Sequence, residues 1–254
     1  MDWLYAILSA AFGLVVGSFL NVVIYRLPVK GKFFEKSRSY CPKCGAELKW
    51  YHNIPVFSYV FLRGRCAFCK EKISPRYPLV ELLNAGLWVA NYFVFGLSWN
   101  LLIWDVAVSA LVAMAFVDID TKEILYTFMI VIALCGAASF FVPQEVPVVW
   151  WERLLGMAVV SVPMLILALI TGGMGGGDVK LYAAIGLLLG WKLTLVSALI
   201  AIVLGGIGAV LLIALKKAKK GSEMPFGPYI ALGVILAGYF GNDLLAWYLS
   251  AMGL

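Results

Sequence analysis

Eight apolar runs leave this chain little freedom in what it can fold into. They cover roughly residues 4–25, 79–96, 99–117, 124–142, 152–171, 179–190, 193–215 and 228–250 of a 254-residue sequence. About 18 or more consecutive apolar residues are what a helix needs to cross the hydrocarbon of a bilayer, and a helix satisfies its own backbone there. The sixth run is the shortest. With 63% hydrophobic and only 13% charged residues, and a mean hydropathy of +0.94, an ordinary soluble domain is excluded. The expected fold is an all-α polytopic membrane protein with about eight transmembrane helices. The first run follows Met1-Asp2-Trp3, which carries no positive charge, so it reads as a span and not as a cleavable signal.

A net charge of +6 suggests nucleic acid until its positions are read. Twelve of the 20 Lys and Arg residues fall between Arg26 and Arg76, and four more are Lys216, Lys217, Lys219 and Lys220. Lys122 and Lys180 stand beside two aspartates. With the N-terminus outside, eight spans put all of these 18 residues on the cytoplasmic side and leave Arg153 and Lys192 outside. That is the positive-inside pattern, so the basic loops report topology and no nucleic-acid partner is expected.

Residues 26–78 form the one long hydrophilic segment, a cytoplasmic insert between the first and second spans. It carries Cys41-Pro42-Lys43-Cys44 and Cys66-Ala67-Phe68-Cys69, two CxxC knuckles with 21 residues between them. Paired CxxC elements at that separation read as a tetrahedral four-thiolate zinc site. Two disulfides are the alternative, and a reducing cytoplasm disfavours them. A closed four-sulfur site organises a loop and does not catalyse, and a segment with no large core of its own leans on the metal to fold. The stretch Leu48-Lys49-Trp50-Tyr51-His52-Asn53-Ile54-Pro55-Val56 between the knuckles is rich in aromatics. Its rings either pack over the metal site, lie at the headgroup layer, or handle a ligand. Cys135, inside the fourth run, reads as a small buried apolar residue.

Two acids stand out against the apolar background. Asp118 ends the run Ala113-Met114-Ala115-Phe116-Val117, and Asp178 closes three glycines in Gly175-Gly176-Gly177-Asp178-Val179-Lys180. An ionisable residue at membrane depth costs on the order of 2.5–3.5 kcal/mol at the bilayer centre and is a functional candidate by default. With eight spans, Asp118 follows the third and Asp178 the fifth, so both reach the cytoplasmic face. Two carboxylates brought together share a proton, the chemistry of an aspartic protease. Elimination points the same way. His52 is the single histidine, too few for a Ser-His-Asp, Cys-His or HExxH site at the membrane, and no serine adjoins Lys122 or Lys180. Glycines at 175–177 can break the helix and let an extended substrate approach. Asp118 and Asp120, two apart, cannot both face Asp178 if the helix continues; Asp120 and Glu123 are expected to be solvated or paired with Lys122. Asp105 is expected to bond between helices, and Glu81 to cap the second span.

At these residues the chain resembles the type IV prepilin peptidases, membrane aspartic proteases of the GxGD class. The likeness runs from Gly17-Ser18-Phe19-Leu20-Asn21 through the paired CxxC insert with Asn53-Ile54-Pro55, Leu62-Arg63-Gly64 and Ser74-Pro75-Arg76-Tyr77-Pro78. It continues through the GxGDxK motif at Gly175 to Lys180 and Pro225-Phe226-Gly227-Pro228 before the last span. The resemblance implies that Asp118 and Asp178 are the catalytic pair, with Gly175, Gly177 and Lys180 in the active-site loop. One carboxylate would act as base on a water and the other, protonated, would polarise the scissile carbonyl. It implies prepilin and pseudopilin substrates of type IV pili, type II secretion or DNA uptake, cut on the cytoplasmic side of the bacterial inner membrane after a glycine. It also implies methylation of the new N-terminus with S-adenosylmethionine, linked to the insert. The organisation expected is a first helix (1–25), the insert (26–78) and a peptidase domain (79–254). No Gly-rich βα fingerprint for such a cofactor is present, and the insert's basic residues could equally face anionic lipid.

One departure stands out. The resemblance leads one to expect Pro and then Asp or Asn seven and eight positions after Asp118, where this chain has Leu125 and Tyr126. Loss of the proline predicts a less sharply set helix start, and loss of the acid or amide removes a capping or orienting group. Activity is expected to survive. The rival readings are an aspartic protease with another substrate, such as signal-peptide remnants, and a transporter whose acids carry protons or cations. Transporter acids sit near mid-bilayer, whereas both aspartates here read as rim residues.

Overall fold

The structure, a computed structural model, describes residues 2–29, 39–143, 148–172, 175–215 and 224–253. The basic positions Lys30, Lys32, Lys36, Arg38, Lys216, Lys217, Lys219 and Lys220, counted above toward orientation, lie outside the described residues. Among the described residues the backbone is helical, and strand pairing is limited to two isolated bridges, Tyr40 with Glu47 and Arg65 with Lys72.

In chain order the helices are α1 (Asp2–Arg26), α2 (Phe57–Phe61), α3 (Arg76–Phe95), α4 (Trp99–Thr121) and α5 (Tyr126–Ala138). They continue with α6 (Trp150–Val159), α7 (Ser161–Thr171), α8 (Gly176–Ala214) and α9 (Gly227–Met252). Each of the eight apolar runs is helical, but the count of spans differs from the expected eight. Among the described residues, six helical segments are long and apolar enough to cross a membrane: α1, α3, α4, α6 and α7 taken together, α8, and α9. Helix α5 has 13 residues, about 20 Å at the helical rise, short of a bilayer's hydrocarbon. The sixth and seventh runs are two helices that meet at Gly190 (φ 74, ψ 171) and together make up α8. That backbone is open only to glycine. The break between α6 and α7 has a plain cause: Pro163 has no N–H to give to the preceding turn.

The chain packs as two compact units, Met1–Ala113 and Met114–Leu254. In the first, α1 lies along α3, and polar side chains bind the helices where the hydrophobic effect cannot, lipid being as apolar as leucine. Asn84 Nδ2 donates to Gly13 O (2.8 Å) and Ser109 Oγ to Asn84 Oδ1 (3.0 Å). Trp88 Nε1 donates to Ser109 Oγ (3.0 Å), and Asn91 Nδ2 to Asp105 Oδ1 (2.8 Å). Asp105 therefore joins α3 to α4, the interhelical bond expected of it. Glu81 does not cap α3. It lies inside that helix, and its Oε2 accepts the Val56 N–H at 2.7 Å.

In the second unit, α8 is the common support, with α5, α6, α7 and α9 each packed on it. Arg153, expected on the outer side, is 2% exposed. Its Nη1 donates to Leu187 O (3.0 Å), Leu188 O (3.2 Å) and Ser139 Oγ, and the guanidinium lies over the Phe140 ring. The kink at Gly190 interrupts the helical ladder just beyond those two carbonyls, and backbone groups freed at membrane depth need such a substitute donor.

Candidate active site and metal centre

The four insert cysteines converge. Cys41 and Cys66 are buried, Cys44 and Cys69 exposed, and their sulfurs all lie within 4.8 Å of one another. Each knuckle is a tight local turn. Cys41 N–H donates to Ala46 O (3.0 Å) and Gly45 N–H to Cys41 O (2.9 Å). In the second, Cys66 N–H donates to Glu71 O (2.8 Å) and Lys70 N–H to Cys66 O (3.2 Å). The residue after the second cysteine is left-handed in both, Gly45 at φ 71 and Lys70 at φ 60. Burial alone would raise the Cys66 thiol, but the backbone N–H groups of Cys69 and Phe68 and the neighbouring thiols bring it down to about 7. Cys69 takes a backbone N–H from Glu71, yet burial and the thiols of Cys66, Cys44 and Cys41 push it up to about 11.

A tetrahedron of thiolates about 2.3 Å from a zinc ion places its sulfurs about 3.8 Å apart. Cys41 Sγ and Cys69 Sγ stand at 3.9 Å, so the residues present fit a four-coordinate soft cation. The aromatic stretch folds onto this centre: His52 meets Phe68, inside the second knuckle, edge to face at 5.5 Å between centroids. The packing alternative for the rings thus accounts for His52, while Trp50 remains 79% exposed. Cys135 is buried in α5, away from the cluster in sequence and in role.

The second unit holds the acids. Helix α4 continues to Thr121, and its periodicity separates Asp118, 4% exposed, from the exposed Asp120. Asp178 sits in the first turn of α8, half-buried, with Gly175 as an extended N-cap (φ −67, ψ 131). The carboxylates of Asp118 and Asp178 are close enough for their charges to interact. Asp118 Oδ2 also accepts the Gly227 N–H at 2.7 Å. Gly227 is the first residue of α9, so its amide has no partner within the helix. A Cβ at Gly227 would stand 2.8 Å from Asp118 Oδ2 and 3.0 Å from Met114 Sδ, so only glycine lets the amide come this near.

The sequence offered Pro225-Phe226-Gly227-Pro228 as a motif but gave no role to its amide, because a backbone donor carries no side-chain signature. Nor did it reveal the use of Tyr126. Lys180 Nζ donates to Tyr126 Oη at 2.6 Å and lies 4.7 Å from the ring centroid. The start of α5 is sharp despite the absent proline. Leu125 is its N-cap at φ −73, ψ 140, close to the φ a proline imposes.

The bacterial peptidase A24 N-terminal domain matches residues 11–95, and the type IV leader peptidase family matches residues 105–210. The prepilin leader peptidase/N-methyltransferase of Aeromonas hydrophila is 35% identical over 280 residues, covering 98% of this chain and 96% of its own. The chain belongs to the type IV leader peptidase family. A relative of the same description from Aeromonas salmonicida is 34% identical over 283 residues (99% of this chain, 96% of its own). One from Bacillus subtilis is 34% identical over 241 residues (94% and 96%). No solved structure matches. As a member of this family with six long apolar helices, the chain is a multi-pass membrane protein.

Proposed function

We propose that this protein is a membrane aspartic endopeptidase that removes the short basic leader of prepilins and pseudopilins. The observation that carries the reading is the buried Asp118 at the end of α4, gripped by the Gly227 amide, with Asp178 in the first turn of α8 near enough for its charge to feel that of Asp118. Two carboxylates in charge contact favour a state with one proton between them. The ionised member draws a proton from a water, and the protonated member donates to the scissile carbonyl as the tetrahedral intermediate forms. The Gly227 N–H fixes Asp118 Oδ2 and leaves the other oxygen to meet the water. The extended backbone at Gly175 and the turn through Gly177 leave room for an extended substrate strand beside Asp178.

On this reading residues 79–254 form the peptidase domain. We place both aspartates at the cytoplasmic face of a bacterial inner membrane, with the N-terminus outside; this holds when α5 and the two halves of α8 each cross, and the basic loops support it. The four cysteines hold zinc that shapes the insert and takes no part in hydrolysis. The relatives' names include N-methyltransferase; on this reading S-adenosylmethionine gives its methyl group to the new N-terminus, with the insert at 26–78 as the seat. Among the described residues of the insert, one cleft is lined by Arg63, Arg65 and Lys72 and by no carboxylate. Those cations suit the carboxylate of such a cofactor but not its sulfonium, so this cleft is not assigned as its seat.

The test is prepilin cleavage in membranes by the wild type and by Asp118→Ala, Asp178→Ala and Asp120→Ala. Loss in both dyad variants with cleavage kept in the Asp120 variant is the expected result. Full rate in either dyad variant would sink the two-carboxylate mechanism.

A further inference from the structure

Lys180 follows Asp178 by two residues on α8, so the two side chains leave the helix in nearly opposite directions. Lys180 does not aim at the carboxylate; its ammonium is engaged by Tyr126, the first residue of α5. The chain between Asp118 and that tyrosine is short and internally braced. Lys122 N–H donates to Asp118 O (2.8 Å), Thr121 Oγ1 donates to Val117 O (2.9 Å), and Glu123 N–H donates to Thr121 Oγ1 (3.3 Å). A second contact lies beside the first: the Cβ of Ile124 is 3.2 Å from where a Cβ on Gly177 would stand. The segment leaving Asp118 is thus pinned twice to the turn that presents Asp178, by an apolar touch at Ile124 and a charge-assisted hydrogen bond at Tyr126.

We propose that Tyr126 is a positioning residue of the peptidase site. By accepting from Lys180, its phenol oxygen fastens the start of α5 to the first turns of α8 and so sets the approach of the two aspartates. The inference rests on the reading of Asp118 and Asp178 as the catalytic pair. It also gives the departure at this position a purpose: a phenol oxygen serves as the acceptor where the resemblance leads one to expect a carboxylate or an amide.

The experiment uses the full chain in membranes and two readouts, prepilin cleavage kinetics and the rate at which acetic anhydride modifies Lys180, followed by mass spectrometry. Tyr126→Phe keeps the ring and removes the acceptor. Its kcat should fall about tenfold with KM little changed, and Lys180 should be modified several-fold faster. Tyr126→Asp, which restores an acceptor, should recover most of the rate, which a merely misfolded Phe variant would not predict. Lys180→Met combined with Tyr126→Phe should be no worse than the poorer single variant. Equal Lys180 modification in wild type and Tyr126→Phe overturns the inference whatever the cleavage assay gives. A Tyr126→Phe variant at wild-type kcat overturns it while leaving the peptidase reading intact. A wild type that cuts no prepilin overturns that reading and the inference with it.

Discussion

The cysteine cluster and the aspartate pair are built in opposite ways. Each cysteine pair sits in one short turn whose hydrogen bonds close within five residues, such as Cys41 N–H to Ala46 O. The sulfurs need only two such turns to meet. The aspartates come from the end of one helix and the start of another, and Asp118 is held by an amide 109 residues away in sequence. A closed tetrahedron with every ligand committed is suited to holding a loop in shape. A pair of acids with oxygen atoms left over, resting on glycine-lined turns, is suited to meeting a water and a substrate. On the proposed reading, the difference separates a part that must stay as it is from a part that must react.

Replacing either aspartate tests the reactive side most severely. Asp178→Ala should lower prepilin cleavage by about a thousandfold or more while leaving metal content, measured by atomic absorption on the purified protein, unchanged. A parallel loss of metal would show that the two centres are not separable. Cys66→Ser attacks the other side. It removes a buried ligand and should weaken metal binding by about a thousandfold or more, with the insert becoming open to protease. Retention of one metal per chain would show that three thiolates suffice and that the site is not closed.

Gly227→Ala forces Asp118 off its amide without touching either carboxylate. Because misplacement of about 1 Å at a reacting group costs roughly a hundredfold, kcat should drop by about that factor with metal content intact. Wild-type kcat would mean that the amide contact is dispensable. The smallest effect belongs to Gly45→Ala. Nothing lies within 4 Å of the added Cβ, so the cost is the left-handed backbone alone, about 1 kcal/mol, or about fivefold in metal affinity by chelator competition. A larger loss would mean that the first knuckle tolerates less than its geometry suggests.

What could be read from the sequence follows the same division. Helix positions were legible because apolar runs of this length have one solution in lipid. The cysteine centre was legible because its spacing is local. Asp118 and Asp178 were legible as polar exceptions at helix ends. The exact span count was not, since α5 has only 13 helical residues and Gly190 splits α8 into two helices on either side of a kink. The burial of Arg153 was not legible either: a charge count by side gives no partner, and this one serves the carbonyls beside the kink. The partners of Asp118 and Lys180 were hidden because they depend on contacts across 109 and 54 residues.

The bond from Val56 N–H to Glu81 Oε2 spans 25 residues and ties the insert to a membrane helix made after it. During synthesis all four cysteines leave the ribosome before Glu81 does. The loop can therefore collect its metal first, but its final anchoring waits until α3 has been made and seated, so assembly has an order written into the position of a single carboxylate.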